Sequence, residues 1–239
     1  MSALPPATVH LITHRRLLAP DARTMHAEIA ALEAFLDEAI AAGVDVIQIR
    51  ERDLPPQAQI ALVRSVILRA RGTAVRVLVN DRADIAMAAG ADGVHLRADA
   101  VPSARVRALS AAWTLGKSMH DGDDAAGPES SAIDYWLFAP VFAPMSKGAG
   151  ADAPEAGAAG LAALARVTAA SPRPVVALGG IDATRAAACA AAGAAGVGAI
   201  SVFLPAGRAP GAIGPARAVG ALRAALLSGS ASTGRSKPR

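Results

Sequence analysis

Four stretches of this chain share one local pattern. A segment rich in small residues gives way to a small or acidic residue and then to a short apolar run, in AAGVDVIQIR, AAGADGVHLR, SSAIDYWLFAP and AAGAAGVGAIS. In three of them a glycine (Gly43, Gly90, Gly193) is expected to stop a helix in the left-handed conformation and turn the chain straight into a buried strand. The apolar runs at 77–79 and 175–178 are continuous rather than alternating, as strands covered on both faces require. Adding TVHLIT, AVRVLVN and WTLGKS predicts eight strands, near residues 8–13, 44–49, 75–79, 93–96, 113–118, 134–138, 175–178 and 195–200. Helical stretches such as TMHAEIAALEAFLDEAIAA and PQAQIALVRSVILRARG fill most of the gaps.

Strict alternation of strand and helix implies a parallel sheet with right-handed crossovers. Eight such units in roughly 220 residues close most simply into one α/β domain, a single (β/α)8 TIM barrel, assigned here to residues 1–227. A doubly wound open sheet needs a ligand fingerprint at its switch point, and no G-x-G-x-x-G follows an early strand. The longest irregular stretch, residues 143–160, is too long for a passive connection and is expected to form a lid.

Composition is 53% hydrophobic with 3% aromatic residues, which suits helices packed on a buried sheet. The net charge of +4 drops to about +1 once Arg235, Lys237 and Arg239 are set aside. These three lie in SGSASTGRSKPR, residues 228–239, which has no apolar periodicity and is expected to be a disordered basic tail. The remaining charge is too balanced for a nucleic-acid footprint. Cys189 is the only cysteine, which fits a reducing compartment, and it sits in RAAACAAAG as a packing residue. No charged leader precedes a long apolar run and no window reaches a membrane span, so a soluble cytoplasmic protein is expected.

In a barrel of this type the residues just after each strand line the chemical face. Those positions hold Thr13, Gln48, Arg50, Glu51, Arg52, Asn80, Asp81, Arg97, Asp99, Ser118, His120, Lys147, Gly179, Gly180, Ile200 and Ser201. So polar and cationic a set in so apolar a chain asks for an anionic ligand. Gly179-Gly180 after the seventh strand and Ile200-Ser201 after the eighth suit a phosphate, because glycines admit backbone N–H groups close to an oxyanion and a helix N-terminus behind them adds a dipole. Arg50 and Lys147 suit a second phosphate or a diphosphate, unless Arg50 pairs with Glu51 or Asp53. Asp81 suits Mg2+, an ion pair with Arg82, or the cap of the following helix. His120 reads as an acid or base or as a satisfied rim histidine, and His10 and His95, inside strands, as structural. Arg15 and Arg16 read as a solvated loop.

The segments VIQIRERDL, VLVNDRADIAMAAGADGVHL, GKSMH, DYWLFAPVFAPMSK, VVALGGI and AISVF occur in the order and spacing of the thiamine-phosphate synthase family, which also contains a thiazole tautomerase. The resemblance covers roughly residues 8 to 205 and implies a (β/α)8 barrel. It implies a transferase that joins a hydroxymethylpyrimidine diphosphate to a thiazole phosphate, giving thiamine phosphate and diphosphate, with Mg2+ as cofactor. By motif match, Gln48, Arg50, Arg52, Asn80, Ser118 and Lys147 would meet the pyrimidine diphosphate, and Ser146, Gly179, Gly180, Ile200 and Ser201 the thiazole phosphate. Arg50, Ser118, Lys147 and His120 would be the catalytic groups, and Asp81 with Asp99 the metal ligands.

Three departures fall on the diphosphate and metal half or on the lid. The family's second acid after strand four is Ala100 here, with Asp99 one residue earlier; its usual lysine is Arg52; and its Thr-x-Thr-Lys loop reads Pro144-Met145-Ser146-Lys147. A tautomerase acting on thiazole carboxylate phosphate, with His120 as proton shuttle, is therefore the alternative, and a non-catalytic phosphate-binding barrel a third. Expected partners are the small phosphorylated substrates, with no nucleic acid and no membrane, and a homo-oligomer left open.

Overall fold

The structure, a computed structural model, describes residues 4–143 and 154–233. Eight parallel strands pair in sequence order and close on themselves: β1 (Thr8–Ile12), β2 (Val46–Ile49), β3 (Arg76–Asn80), β4 (Gly93–Leu96), β5 (Thr114–Met119), β6 (Tyr135–Phe138), β7 (Val175–Leu178) and β8 (Gly196–Ala199). Closure is made by β1 against β8, with Thr8 opposite Gly196 and Leu11 opposite Ala199. Outside the barrel run α1 (Arg15–Leu18), α2 (Met25–Ala41), α3 (Pro56–Ala70), α4 (Ala83–Ala89), α5 (Ser103–Arg107), α6 (Pro154–Ala170), α7 (Ala183–Ala191) and α8 (Pro215–Thr233). Between β5 and β6 a single 3-10 turn, Pro128–Ser131, stands where a full helix would be. Among the described residues no helix is long and apolar enough to cross a membrane.

The repeated sequence pattern has a physical cause at the N-terminal end of the barrel. Gly43, Gly90 and Gly193 have φ of +78°, +75° and +93°, the left-handed stop expected of them. The acid that follows in three repeats bonds to the preceding strand. Asp45 Oδ2 accepts from Val9 N–H, Asp92 Oδ2 from Val77 N–H and Asp134 Oδ2 from Leu115 N–H, each at 2.8 Å. One carboxylate per strand pair thus satisfies a backbone donor left over at the rim of the sheet.

Alternation along the strands divides the core in two. Val9, Leu11, Ile47, Val77, Val79, Val94, Leu115, Trp136, Ala177 and Val197 face the helices. Ile12, Val46, Leu78, Tyr135, Leu137 and Val176 fill the interior of the barrel. Both sets are buried, which explains runs with no polar alternation.

Two boundaries differ from expectation. Helix α8 continues to Thr233, so residues 228–233 of the expected tail are helical. The cause is close packing: a Cβ on Gly229 would stand 2.3 Å from Ala187 O, so α8 lies directly on α7 through small residues that carry no apolar periodicity. The expected irregular stretch 143–160 ends early, because α6 begins at Pro154. Gly160 resembles a loop glycine but serves helix packing, since a Cβ there would stand 1.8 Å from Val141 O.

Candidate active site

The barrel interior changes character toward its C-terminal mouth. His10, Gln48, His95 and Tyr135 are buried polar groups below the opening. His95 Nδ1 lies 3.0 Å from the Tyr135 hydroxyl and its Nε2 lies 2.9 Å from Ser118 Oγ. His10 packs edge-on to both rings, at 6.1 Å from His95 and 5.9 Å from Tyr135. Burial lowers the His10 imidazole to about 3, the neighbouring Gln48 amide opposing, so the ring is neutral; among the described residues its nitrogens meet no partner in hydrogen-bonding geometry. Burial likewise holds His95 well below the ordinary histidine range and raises the Tyr135 phenol. The side chains fit because Gly116 is opposite: a Cβ on it would stand 2.1 Å from Tyr135 Cζ.

Above this floor, Gln48 Nε2 donates to Asn80 Oδ1 at 3.0 Å, while Gln48 Oε1 is buried with no partner among the described residues. A buried carbonyl left unmatched is an acceptor awaiting a donor. The opening is a cavity of about 660 Å³ lined by Gln48, Arg50, Arg52, Asn80, His95, Arg97, Asp99, Ser118 and His120. Three of these are guanidinium groups and one is a carboxylate, so the cavity favours an anion.

The site's cations are set by a buried ion cluster. Arg15 is 3% exposed: its Nε meets Glu28 at 2.7 Å, its Nη1 Glu51 at 3.0 Å, and its Nη2 Asp53 Oδ2 at 2.7 Å. Reading Arg15 as solvated is therefore corrected. Arg16 alone is exposed, and it too reaches Asp53 at 2.6 Å. The cluster consumes the two acids that competed for Arg50. Among the described residues Arg50 and Arg52 make no ion pair, and Thr13 Oγ1 pins the Arg50 backbone by accepting its N–H at 2.9 Å.

Asp81 has φ +64°, a left-handed position for a residue with a Cβ, of the kind that clusters at functional sites. Of the three roles open to it, the ion pair with Arg82 and the helix cap are not realised: Arg82 pairs with Asp84, and α4 has no side-chain cap. Asp81 Oδ2 instead lies 3.2 Å from Arg97 Nε, which is also 3.2 Å from Asp99 Oδ1. The two candidate metal ligands thus converge, with a guanidinium between them. Among the described residues no cluster of three or more metal-ligating side chains occurs. Two carboxylates still match a hard cation that keeps most of its shell as water and ligand oxygens, provided Arg97 turns away.

A second cavity of about 280 Å³ adjoins the first and shares His120, Leu178 and Ile200 with it; its lining also includes Gly179, Gly180, Gly198 and Ser201 among apolar side chains such as Leu17 and Ile181. Gly179 and Gly180 have φ of +106° and +58°, and a Cβ on Gly180 would stand 2.5 Å from Ala143 O. Only glycine gives this loop its course. The helix dipole expected behind it is already answered, because Asp182 caps α7 by accepting from Arg185 N–H at 2.9 Å. Arg185 braces the loop from behind: its Nη1 donates to Gly180 O at 2.7 Å, its Nε lies 3.8 Å from Asp182 Oδ2, and its guanidinium lies 5.0 Å from the Phe142 ring. At the seam of the cavities His120 is exposed, with Nδ1 3.8 Å from Asp123.

Gln48, Arg50, Arg52, Asn80, Asp81, Asp99, Ser118, His120, Gly179, Gly180, Ile200 and Ser201 therefore surround one mouth. Ser146 and Lys147 lie outside the described residues. Sequence reasoning did not assign His95 to the site, since a histidine inside a strand carries no mark of what its ring touches. Arg185 was also missed, although its place five residues after a Gly-Gly turn was a usable signal.

The sequence profile described as thiamine monophosphate synthase matches residues 21–203 of this chain. The thiamine-phosphate synthase of Anaeromyxobacter dehalogenans is 40% identical over 198 residues, covering 82% of this chain and 83% of that protein. The thiamine-phosphate synthase of Roseiflexus sp. is 32% identical over 222 residues, 92% of this chain and 85% of its own. Among solved structures, thiamine phosphate pyrophosphorylase from Pyrococcus furiosus superposes with a TM-score of 0.73 at 25% identity, over 93% of this chain and 96% of that one. The 3-hexulose-6-phosphate synthase of Salmonella typhimurium, at 15% identity and TM-score 0.62 over 93% and 99% of the two chains, shares the fold.

Proposed function

Because the chain belongs to the thiamine monophosphate synthase family, we propose that it is a transferase joining hydroxymethylpyrimidine diphosphate to thiazole phosphate, with release of diphosphate. The observation that carries this reading is the pair of adjoining cavities, one lined by Arg50, Arg52 and Arg97 and the other by the Gly179-Gly180 loop, meeting at His120 and Ile200. Two anionic substrates that react end to end need such a pair of seats.

In this reading Arg50, Arg52, Asn80 and Ser118, with Lys147, bind the diphosphate, and Gln48 Oε1 takes an N–H from the pyrimidine amino group. Gly179, Gly180, Ile200 and Ser201, with Ser146, bind the thiazole phosphate, and Arg185 braces the glycine loop from behind. Breaking the carbon–oxygen bond to diphosphate is a leaving-group problem. The protein contributes cations and N–H donors fixed where negative charge grows, rather than a nucleophile. Asp81 and Asp99 would hold Mg2+, which would supply further neutralisation of that charge. Arg97 releases the two carboxylates as it turns toward the diphosphate.

The test is diphosphate release from purified protein with both substrates and Mg2+ or Mn2+. Release supports the transferase. No release, with isomerisation of thiazole carboxylate phosphate instead, supports a tautomerase, a reading favoured by the exposed His120–Asp123 pair at the seam. Binding of thiazole phosphate with neither reaction leaves a non-catalytic barrel.

A further inference from the structure

We propose that Tyr135 and His95 are positioning residues that hold the Ser118 hydroxyl as a hydrogen-bond donor to the anionic ligand. The argument is one of donors and acceptors. Tyr135 is wholly buried, and among the described residues its hydroxyl has one partner, His95 Nδ1 at 3.0 Å. If the phenol accepted from Nδ1–H, its own hydrogen would be stranded in the core without an acceptor, the costly arrangement for a buried donor. It therefore donates to Nδ1. A neutral imidazole with unprotonated Nδ1 carries its proton on Nε2, and burial keeps His95 neutral.

Nε2–H then donates to Ser118 Oγ, 2.9 Å away. With its oxygen engaged as acceptor, the Ser118 hydrogen has no acceptor among the described residues, and the side chain lines the cationic cavity. Ser118 is thus set to donate. It is not set to act as a nucleophile, because the nitrogen facing it already holds a proton and cannot take another at neutral pH. Gly116, by leaving room for the Tyr135 ring, and His10, edge-on to both rings, fix the relay in place.

The identity of the anion rests on the proposed function, whereas the direction of the two hydrogen bonds does not. In protein labelled with 15N-histidine, long-range proton–nitrogen correlation should show His95 as the Nε2–H tautomer, its signal identified by its absence in His95→Leu. An Nδ1–H tautomer overturns the proposal. Titration with inorganic diphosphate reads the consequence. Ser118→Ala should weaken binding about tenfold, one charge-assisted hydrogen bond's worth. His95→Leu should weaken it by a similar factor, and the double variant should bind no worse than Ser118→Ala. His95→Gln, whose amide offers a carbonyl to Tyr135 and an N–H to Ser118, should retain most of the affinity. Additive losses, or full affinity in His95→Leu, also overturn the proposal. Failure of the unmodified protein to bind diphosphate counts against the proposed function, and the tautomer measurement still decides the relay.

Discussion

Arg15→Ala tests whether the ion cluster beneath the cationic rim holds the site in shape. Glu51 is 4% exposed, and its carboxylate accepts from the Arg15 backbone N–H and from Nη1, both at 3.0 Å. Removing the guanidinium leaves Glu51 as an uncompensated buried charge, and breaking such a pair costs about 3–5 kcal/mol. Asp53 adds less. The Arg15 guanidinium, hydrogen-bonded to it, lowers its carboxyl from 3.8 to about 2, but its side chain is 41% exposed. A shift of that size is worth roughly 2 kcal/mol unscreened, and solvent cuts this to about 1 kcal/mol. The folded pKa is depressed, so this share is present above about pH 4 and lost as pH falls toward 2. Urea unfolding at pH 7 should therefore show a loss of about 5 kcal/mol, and at pH 2 most of the Asp53 share of the gap should vanish. Arg15→Met with Glu51→Leu should recover most of it, because an apolar pair replaces a broken ionic one. A loss below about 1 kcal/mol in Arg15→Ala would refute the assignment of this cluster as a fixed support for Arg50 and Arg52.

Three further outcomes are expected. Arg97→Ala should raise Mn2+ affinity in the absence of substrate, read by electron paramagnetic resonance, because Asp81 and Asp99 lose the cation between them, and should weaken diphosphate binding about tenfold. Gly180→Ala must place a side chain at φ +58° and 2.5 Å from Ala143 O, so it should cost about 1–2 kcal/mol of stability in thermal unfolding. The same variant should raise the KM for thiazole phosphate and leave that for the pyrimidine diphosphate nearly unchanged. Cys189, buried with its thiol pushed up to about 12 chiefly by desolvation, should resist a thiol reagent at pH 8 until urea unfolds the barrel.

Much of the fold was legible in the chain because its signals are local. Continuous apolar runs, left-handed glycines before them and helical intervals between them each depend on a few neighbouring residues, and eight repeats of that unit leave one simple way to close a sheet. The two misjudged boundaries mark where this local rule ends. Gly160 and Gly229 read as loop or tail residues, yet each is a point where a helix presses on a neighbouring backbone, a contact no local pattern encodes. The strand-end rule likewise grouped the candidate residues, since Gln48, Asn80 and Ser118, at the ends of their strands, and Gly180, just beyond one, line the same mouth.

The sequence by itself determined which residues reach the barrel mouth and that they are cationic. Only the tertiary structure decided how they are paired. Arg15, not Arg50, takes Glu51 and Asp53; Arg97 joins Asp81 to Asp99; and His95, a strand histidine with no mark of function, meets Tyr135 from two strands away and Ser118 from the next. Strand order along the chain sets which positions face inward. Which guanidinium a carboxylate meets depends on the closure of eight strands, because that closure brings residues distant in sequence within hydrogen-bonding distance and excludes the water that would otherwise satisfy them.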